Sequence, residues 1–512
     1  MDLYRSTHRP ENIMISRREF LESAARLGAA AAIAPACAPR IAEVLDGGGV
    51  TVNDIHSQLN ATQVRSIVRP ESVDAVQQVV RDATSQKRTL SIAAGRHAMG
   101  GQQFAAGSTL IDMNGLTRVT EFDRVAGEIE VEAGIQWPEL YKYLLDSQQN
   151  DPRAWAFVQK QTGADKLSIG GALAANAHGR GLKYPPFVSN VAAFTLVGPD
   201  GATRRCSRTQ NSDLFRAVIG GYGLFGVVTS VRLRLTRRHK VQRIVEVIDV
   251  ATLPAMFERR IAEGFLYGDF QFATDLESDA LQRGVFSCYR PVPDATPMPT
   301  NRAALSPDNW AQLLYLAHVD RARAFQEYAG YYLKTSGQYY WSDEHQMSTY
   351  VPDYHQVQAA RLGEYAHGTE MITEIYVPRN ALVRFLADAR RDLQANKGEL
   401  IYGTVRLIER DPETMLPWAK QPYACIIFNL HVAPGAVGIA KAREDFLRLI
   451  DRGLSYGGSY FLTYHRWARR EQVLAAYPEI VEFLRFKRRF DPGERFQSDW
   501  YRHYRDMFMA EL

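Results

Sequence analysis

Ala94-Gly95-Arg96-His97-Ala98-Met99-Gly100-Gly101-Gln102 closes a strand-like run, Thr89 to Ala94, and leads toward another, Thr109-Leu110-Ile111-Asp112-Met113. A glycine-rich turn between strands is suited to an anion, because main-chain N–H groups can close around a phosphate only where no side chain blocks them. Two more glycine-dense stretches lie further along. One is Leu167-Ser168-Ile169-Gly170-Gly171-Ala172-Leu173-Ala174-Ala175-Asn176-Ala177-His178-Gly179. The other, Gly220-Gly221-Tyr222-Gly223-Leu224-Phe225-Gly226-Val227-Val228, runs into the alternating strand Val231 to Leu235. None is a GxGxxG between strand and helix with an acid about twenty residues on, which disfavours a Rossmann site. A dinucleotide held in another way stays open.

Around these loops the patterning is that of a mixed α and β protein. Val73, Val76, Val79, Val80 and Ala83 recur at helical spacing after Pro70 and Ser72, and Trp137 to Leu145 reads as a second helix. Glu128 to Ala133 alternates as a half-exposed strand. A chain of 512 residues exceeds one hydrophobic core, so two or more domains are expected. The net charge of +4 is spread among acids rather than gathered in a stripe, which argues against nucleic acid. Cys37, Cys206, Cys288 and Cys425 show no metal-ligand spacing; one disulfide or none is compatible with them.

The N-terminus reads as an address. Ser16-Arg17-Arg18-Glu19-Phe20-Leu21, the alanine-rich run Ala24 to Ala36 and a cleavage-like Ala34-Pro35-Ala36 form a twin-arginine export signal. The expected partner is the twin-arginine export machinery, and the expected location is the periplasm or the extracellular space. Cys37 after Ala36 allows a lipoprotein as the lesser alternative, and no stable membrane span is expected in the mature chain. The expected units are 1–40 (signal), 41–238, 239–456, and a C-terminal segment, 457–512, that returns to the first.

The order of the three glycine segments, with Asp213-Leu214-Phe215 and, near the end, Lys487, Asp491-Pro492, Phe496 and Ser498, resembles the FAD-binding domain of the vanillyl-alcohol oxidase and p-cresol methylhydroxylase (PCMH-type) superfamily. The resemblance implies an α+β fold in which a two-subdomain FAD-binding domain carries a sheet-and-helix cap. Ala94, Gly95, Arg96, His97, Ala98, Gln102, Gly163, Ser168, Gly170, Gly171, Ala174, His178, Gly226, Val228 and Ser498 are the residues it assigns to FAD. Members with covalent flavin usually carry Gly-His-Ser in this loop, and here the triplet is Arg96-His97-Ala98. A neutral imidazole has the nucleophile for the flavin 8α position, so a single covalent bond through His97 is expected. A histidine that merely packs in a tight turn is the alternative.

In the second half, Glu370, Ile372, Glu374 and Tyr376 share one face of a strand at period two, lining a pocket or lying on a solvated edge. Tyr402 to Ile408 resembles the strand of alditol and lactone oxidases that ends in Glu-x-Arg, with Thr404 in place of the glutamate and Arg406 matching the arginine. Arg406 is thus a candidate to stabilise charge on reduced flavin, against a surface salt bridge. In Tyr460 to Trp467, Tyr464 falls where decaprenylphosphoryl-ribose oxidases carry a catalytic lysine, and cytokinin dehydrogenases have His-Tyr at Tyr464-His465. The catalytic aspartate of the latter falls on Gly163. The expectation is hydride transfer from a small-molecule alcohol, such as a sugar, polyol or lactone, to flavin N5. Tyr464 or His465 takes the hydroxyl proton, and oxygen or another acceptor reoxidises the flavin. Two alternatives stand beside it. Gly284 to Pro291 and Glu374 to Pro378 resemble sterol side-chain reductases that act on C=C bonds, and a flavin carrier without turnover is the other.

Overall fold

The computed structural model of the chain describes residues 41–348, 354–363 and 368–512. The twin-arginine motif, the cleavage-like site and Cys37 lie outside the described residues. The first sheet takes β1 (Ile41–Val52), β2 (Thr62–Pro70), β3 (Leu90–Ala93) and β4 (Thr109–Asp112) in the order β1-β2-β4-β3. β4 runs parallel to both its neighbours, and β1 and β2 are antiparallel. The helix Val73–Ser85 crosses between the parallel strands, and the Ser72 side chain accepts from the Ala75 amide at its start. Its apolar stripe packs with Leu90 and Ile111 of this sheet and with Val197 and Val227 of the next.

The second sheet is antiparallel. It takes β5 (Val119–Asp123), β6 (Glu128–Glu132), β7 (Trp155–Phe157), β8 (Val191–Val197), β9 (Thr203–Ser207) and β10 (Val227–Arg237). Its order is β5-β6-β10-β8-β9, with β7 paired to the far end of β10. The third sheet has eight strands: β11 (Lys240–Asp249), β12 (Tyr267–Phe272), β13 (Arg283–Pro291), β14 (Tyr339–Trp341), β15 (Thr369–Pro378), β16 (Leu400–Ile408), β17 (Tyr423–Val432) and β18 (Ser459–Tyr460). They lie antiparallel in the order β14-β11-β13-β12-β16-β17-β15-β18. One face of this sheet is covered by the helices Leu382–Ala395 and Gly435–Ser455, where Phe385 meets Phe428 and Gly453 leaves room for Ile375. On the other face, the period-two residues of β15, β16 and β17 look into a cavity.

The structure sharpens the reading of three segments. The middle glycine segment is no open turn: Ile169–Ala175 forms a short helix, because Ser168 caps it and Ala172-Leu173-Ala174-Ala175 are strong helix formers. β15 is no solvated edge, since it lies between β17 and β18 and Glu374 is fully buried. After Ser459 the chain forms helices over Arg470–Ala476, Ile480–Phe490 and Asp499–Met507. Cys206, Cys288 and Cys425 are buried and unpaired. Among the described residues, no helix is long and apolar enough to cross a membrane.

Candidate active site

A cavity of about 1430 Å³ runs from the first glycine loop, between the two halves, to the open face of the eight-stranded sheet. Its wall on the N-terminal side includes Ala94, Gly95, Arg96, His97, Ala98, Gln102, Gly163, Ser168, Gly170, Gly171, Ala174, Gly226 and Val228. The loop is shaped for close main-chain approach. A Cβ on Gly95 would stand 2.5 Å from the Lys166 carbonyl oxygen, and one on Gly170 would stand 2.9 Å from that of Ala133. Arg96 takes a left-handed φ of 54°, a conformation few non-glycine residues adopt and one that turns the chain at the cavity rim.

His97 sits at this wall with both ring nitrogens buried and without a hydrogen-bond partner of good geometry, although the Lys166 main chain lies near enough to bear on its charge. Burial, reinforced by neighbouring His56, brings its pKa down to about 3. The imidazole is therefore neutral at ordinary pH, with a lone pair that no protein donor occupies. The C-terminal segment holds this loop from behind. The Met99 amide donates to the Thr463 carbonyl at 3.1 Å, Gln102 Nε2 to the Leu462 carbonyl at 2.6 Å, and Arg466 Nη1 to the Gly100 carbonyl at 2.9 Å.

On the sheet side, Glu374 is the centre of a buried constellation. Tyr464 Oη donates to its Oε1 at 2.7 Å, Tyr376 Oη donates to its Oε2 at 2.8 Å, and His178 Nε2 lies 2.9 Å from the same Oε2. Burial raises a carboxyl, but here the charge of His178, the bonds from His178 and Tyr464, and Arg406 beyond them outweigh it and hold Glu374 at about 2. Burial and the Glu374 charge push the Tyr464 phenol well above its usual value. Cys425 Sγ also lies close, 3.6 Å from Glu374 Oε2 and 3.8 Å from His178 Nε2. The carboxylate oxygens are already taken by these donors, so the cluster reads as a hydrogen-bond network.

Arg406 is buried, lines the cavity, and leaves Nε and Nη1 without partners. Glu374 meets part of this charge, and the unpartnered Nε and Nη1 leave the guanidinium able to take up further negative charge in the cavity. The surface salt-bridge reading of Arg406 does not hold at this depth.

Three of the expected residues are not among those lining the cavity. His178 stands behind Glu374 rather than at the wall. His465 is buried against Trp467, their rings stacked with centroids 4.4 Å apart, and burial lowers its pKa to about 4. Ser498 caps the helix Asp499–Met507 through the Tyr501 amide at 3.0 Å. Conversely, the Glu374 network went unassigned in the sequence; the signal was the period-two pattern of β15, without its partners.

The donor set fits FAD: a cradle in which Gly95 and Gly170 leave no room for a Cβ, a neutral imidazole at one end without a well-placed partner, and a guanidinium beyond it with Nε and Nη1 unpartnered. Residues 64–207 match the family model described as FAD binding domain. That match, together with the relatives below, makes this segment similar to the FAD-binding domain of the vanillyl-alcohol oxidase and p-cresol methylhydroxylase superfamily. The chain is similar to an uncharacterized oxidoreductase of the fasciation locus in Rhodococcoides fascians, 32% identical over 177 residues, which are 35% of this chain and 39% of that protein. Similarity also extends to L-gulonolactone oxidase of Mus musculus, 28% identical over 32% of this chain and 36% of the relative. Cytokinin dehydrogenase 3 of Oryza sativa subsp. japonica is 34% identical over 29% of this chain and 28% of its own length. Each match spans well under half of the relative.

Proposed function

We propose that the protein is an FAD-dependent oxidoreductase that takes a hydride from an alcohol-type carbon and carries its flavin on His97. The observation that bears most weight is the 2.7 Å bond from Tyr464 to an ionised Glu374 at the wall of a cavity that Arg406 also lines. When bound, FAD supplies the hydride acceptor. The protein's own work is proton transfer and charge. With its O–H committed to Glu374 Oε1, Tyr464 turns a lone pair toward the cavity, where a substrate hydroxyl can donate to it. As the substrate proton reaches Tyr464 Oη, the phenol proton passes to Glu374, so the phenolate that the raised pKa disfavours never forms. Arg406 offers its free N–H groups to negative charge that develops nearby. His465, neutral and stacked on Trp467 away from the wall, has no part in this step.

The names of two relatives, an oxidase and a dehydrogenase, support redox chemistry without fixing the substrate or the final acceptor. The twin-arginine motif supports export of the folded, flavin-loaded protein to the periplasm or beyond. The deciding experiment is anaerobic mixing of the purified yellow protein with a panel of alcohols while its visible absorbance is followed. Bleaching by at least one alcohol is expected, with Tyr464→Phe slowing the limiting rate by about 10²–10⁴-fold. A protein that no alcohol bleaches, or a Tyr464→Phe variant that bleaches at the native rate, overturns this reading.

A further inference from the structure

The cavity is larger than a single ligand site, which typically spans about 300–1,000 Å³. At about 1430 Å³ it has room for the dinucleotide and for a sizeable second molecule. The character of that second chamber is set by a pair of helices, Pro307–Val319 and Arg321–Lys334. In the first, Trp310, Leu313, Leu314 and Ala317 fall at i, i+3, i+4 and i+7, the spacing of a core-facing stripe. Yet this stripe lines the cavity, and its members are only half-buried. The next helix adds Phe325 and Tyr328 to the same wall. The sheet contributes Ile372 and Ile427 to the same cavity, with Asn429 paired in register to Tyr402 on one side and to Ile372 on the other. Asp269, Gln271, Glu370 and Asn429 also line this cavity, and an unfilled apolar stripe set beside such groups marks a wall for the apolar part of an amphipathic ligand.

From this geometry we infer that the substrate alcohol carries a bulky apolar body, a hydrocarbon chain or ring system, that lies along the helical pair while its hydroxylated carbon reaches Tyr464. The inference rests on the alcohol reading above and specifies its substrate class. A sugar or polyol would leave the leucine stripe wet, and its further hydroxyls would face Leu313 and Leu314, which offer no hydrogen bond.

The test titrates the anaerobic holoprotein with straight-chain primary alcohols from ethanol to decan-1-ol, and with xylitol and an aldonolactone. The readouts are the perturbation of flavin absorbance, which reports binding without turnover, and bleaching. Expected is a Kd that tightens by about fourfold per added methylene until the chamber is filled, with xylitol far weaker than decan-1-ol. Leu314→Asp should flatten that length dependence and weaken decan-1-ol at least tenfold while shifting ethanol little. If this variant does not fold, the native length series decides alone. Polyols or lactones that bind more tightly than the long alcohols, an affinity independent of length, or no perturbation by any alcohol overturns the inference. Bleaching by polyols alone sinks this inference and leaves the alcohol oxidoreductase standing; length-dependent binding without bleaching does the reverse.

Discussion

At the scale of single residues, the site depends on groups whose ionisation is set by burial and by specific partners. His97 is kept neutral down to about pH 3, so its lone pair is available to form a bond to carbon whenever flavin is bound. Acid-precipitated native protein should therefore retain its yellow colour in the pellet, whereas His97→Ala should release it into the supernatant; colour in the native supernatant would break the covalent assignment. Glu374 is the opposite case, a carboxyl held at about 2 against an ordinary 4.5. Because its native value is depressed, the ionised group stabilises the folded state above about pH 4.5, and this contribution is lost as pH falls toward about 2. Urea unfolding at pH 5 and pH 3 should show a larger loss of stability in the native protein than in Glu374→Gln. Equal losses would mean that the network does not hold the charge.

At the scale of elements, the glycine loops and the period-two strands were legible in the sequence because their causes are local. Steric exclusion of Cβ demands glycine, and the pleat demands alternation. Arg406 was legible for the same reason, one position in a strand with a recognisable pattern. The role of Glu374 was not, since its partners His178 and Tyr464 lie 196 and 90 residues away and only the folded sheet brings them together. The choice between Tyr464 and His465 was equally hidden, because Phe461 to Ala468 is an irregular turn whose side-chain directions follow no period. The short helix Ile169–Ala175 offers a test of the cradle. In an ordinary helix, alanine for glycine gains about 0.8–1.0 kcal/mol. At Gly170 the new methyl would stand 2.9 Å from both Cβ and the carbonyl oxygen of Ala133, so the backbone must move. Gly170→Ala is expected to lower flavin content and melting temperature together. A variant with full flavin content and a higher melting temperature would show that the close approach is not required.

At the scale of the whole molecule, the C-terminal segment ties the cap sheet to the flavin loop. Residues Ser459–Tyr460 add β18 to the cap sheet beside β15, the strand that carries Glu374. Further on, the Leu90 amide donates to the Arg495 carbonyl at 2.7 Å and the Gln497 amide to the Leu90 carbonyl at 2.8 Å, extending the first sheet. The Asp499 amide donates to the Phe104 carbonyl at 2.7 Å, and Thr62 Oγ1 donates to Asp499 Oδ2 at 3.0 Å. The fully buried Lys487 and Asp491 pair within this segment, so its own core is committed to the docked position. A chain that threads cap, flavin loop and first sheet in succession makes separate melting of the halves costly, because either half would unfold against bonds made by the other. Heating should therefore give one transition, in which the loss of far-UV ellipticity and the rise of flavin fluorescence on exposure to solvent coincide within about 2 °C. Asp499→Ala, which removes the carboxylate that Thr62 and the Ala106 amide donate to, should separate them, with the flavin signal moving to the lower temperature. If the native signals are already split by many degrees, the two halves are independent and the strap does not couple them.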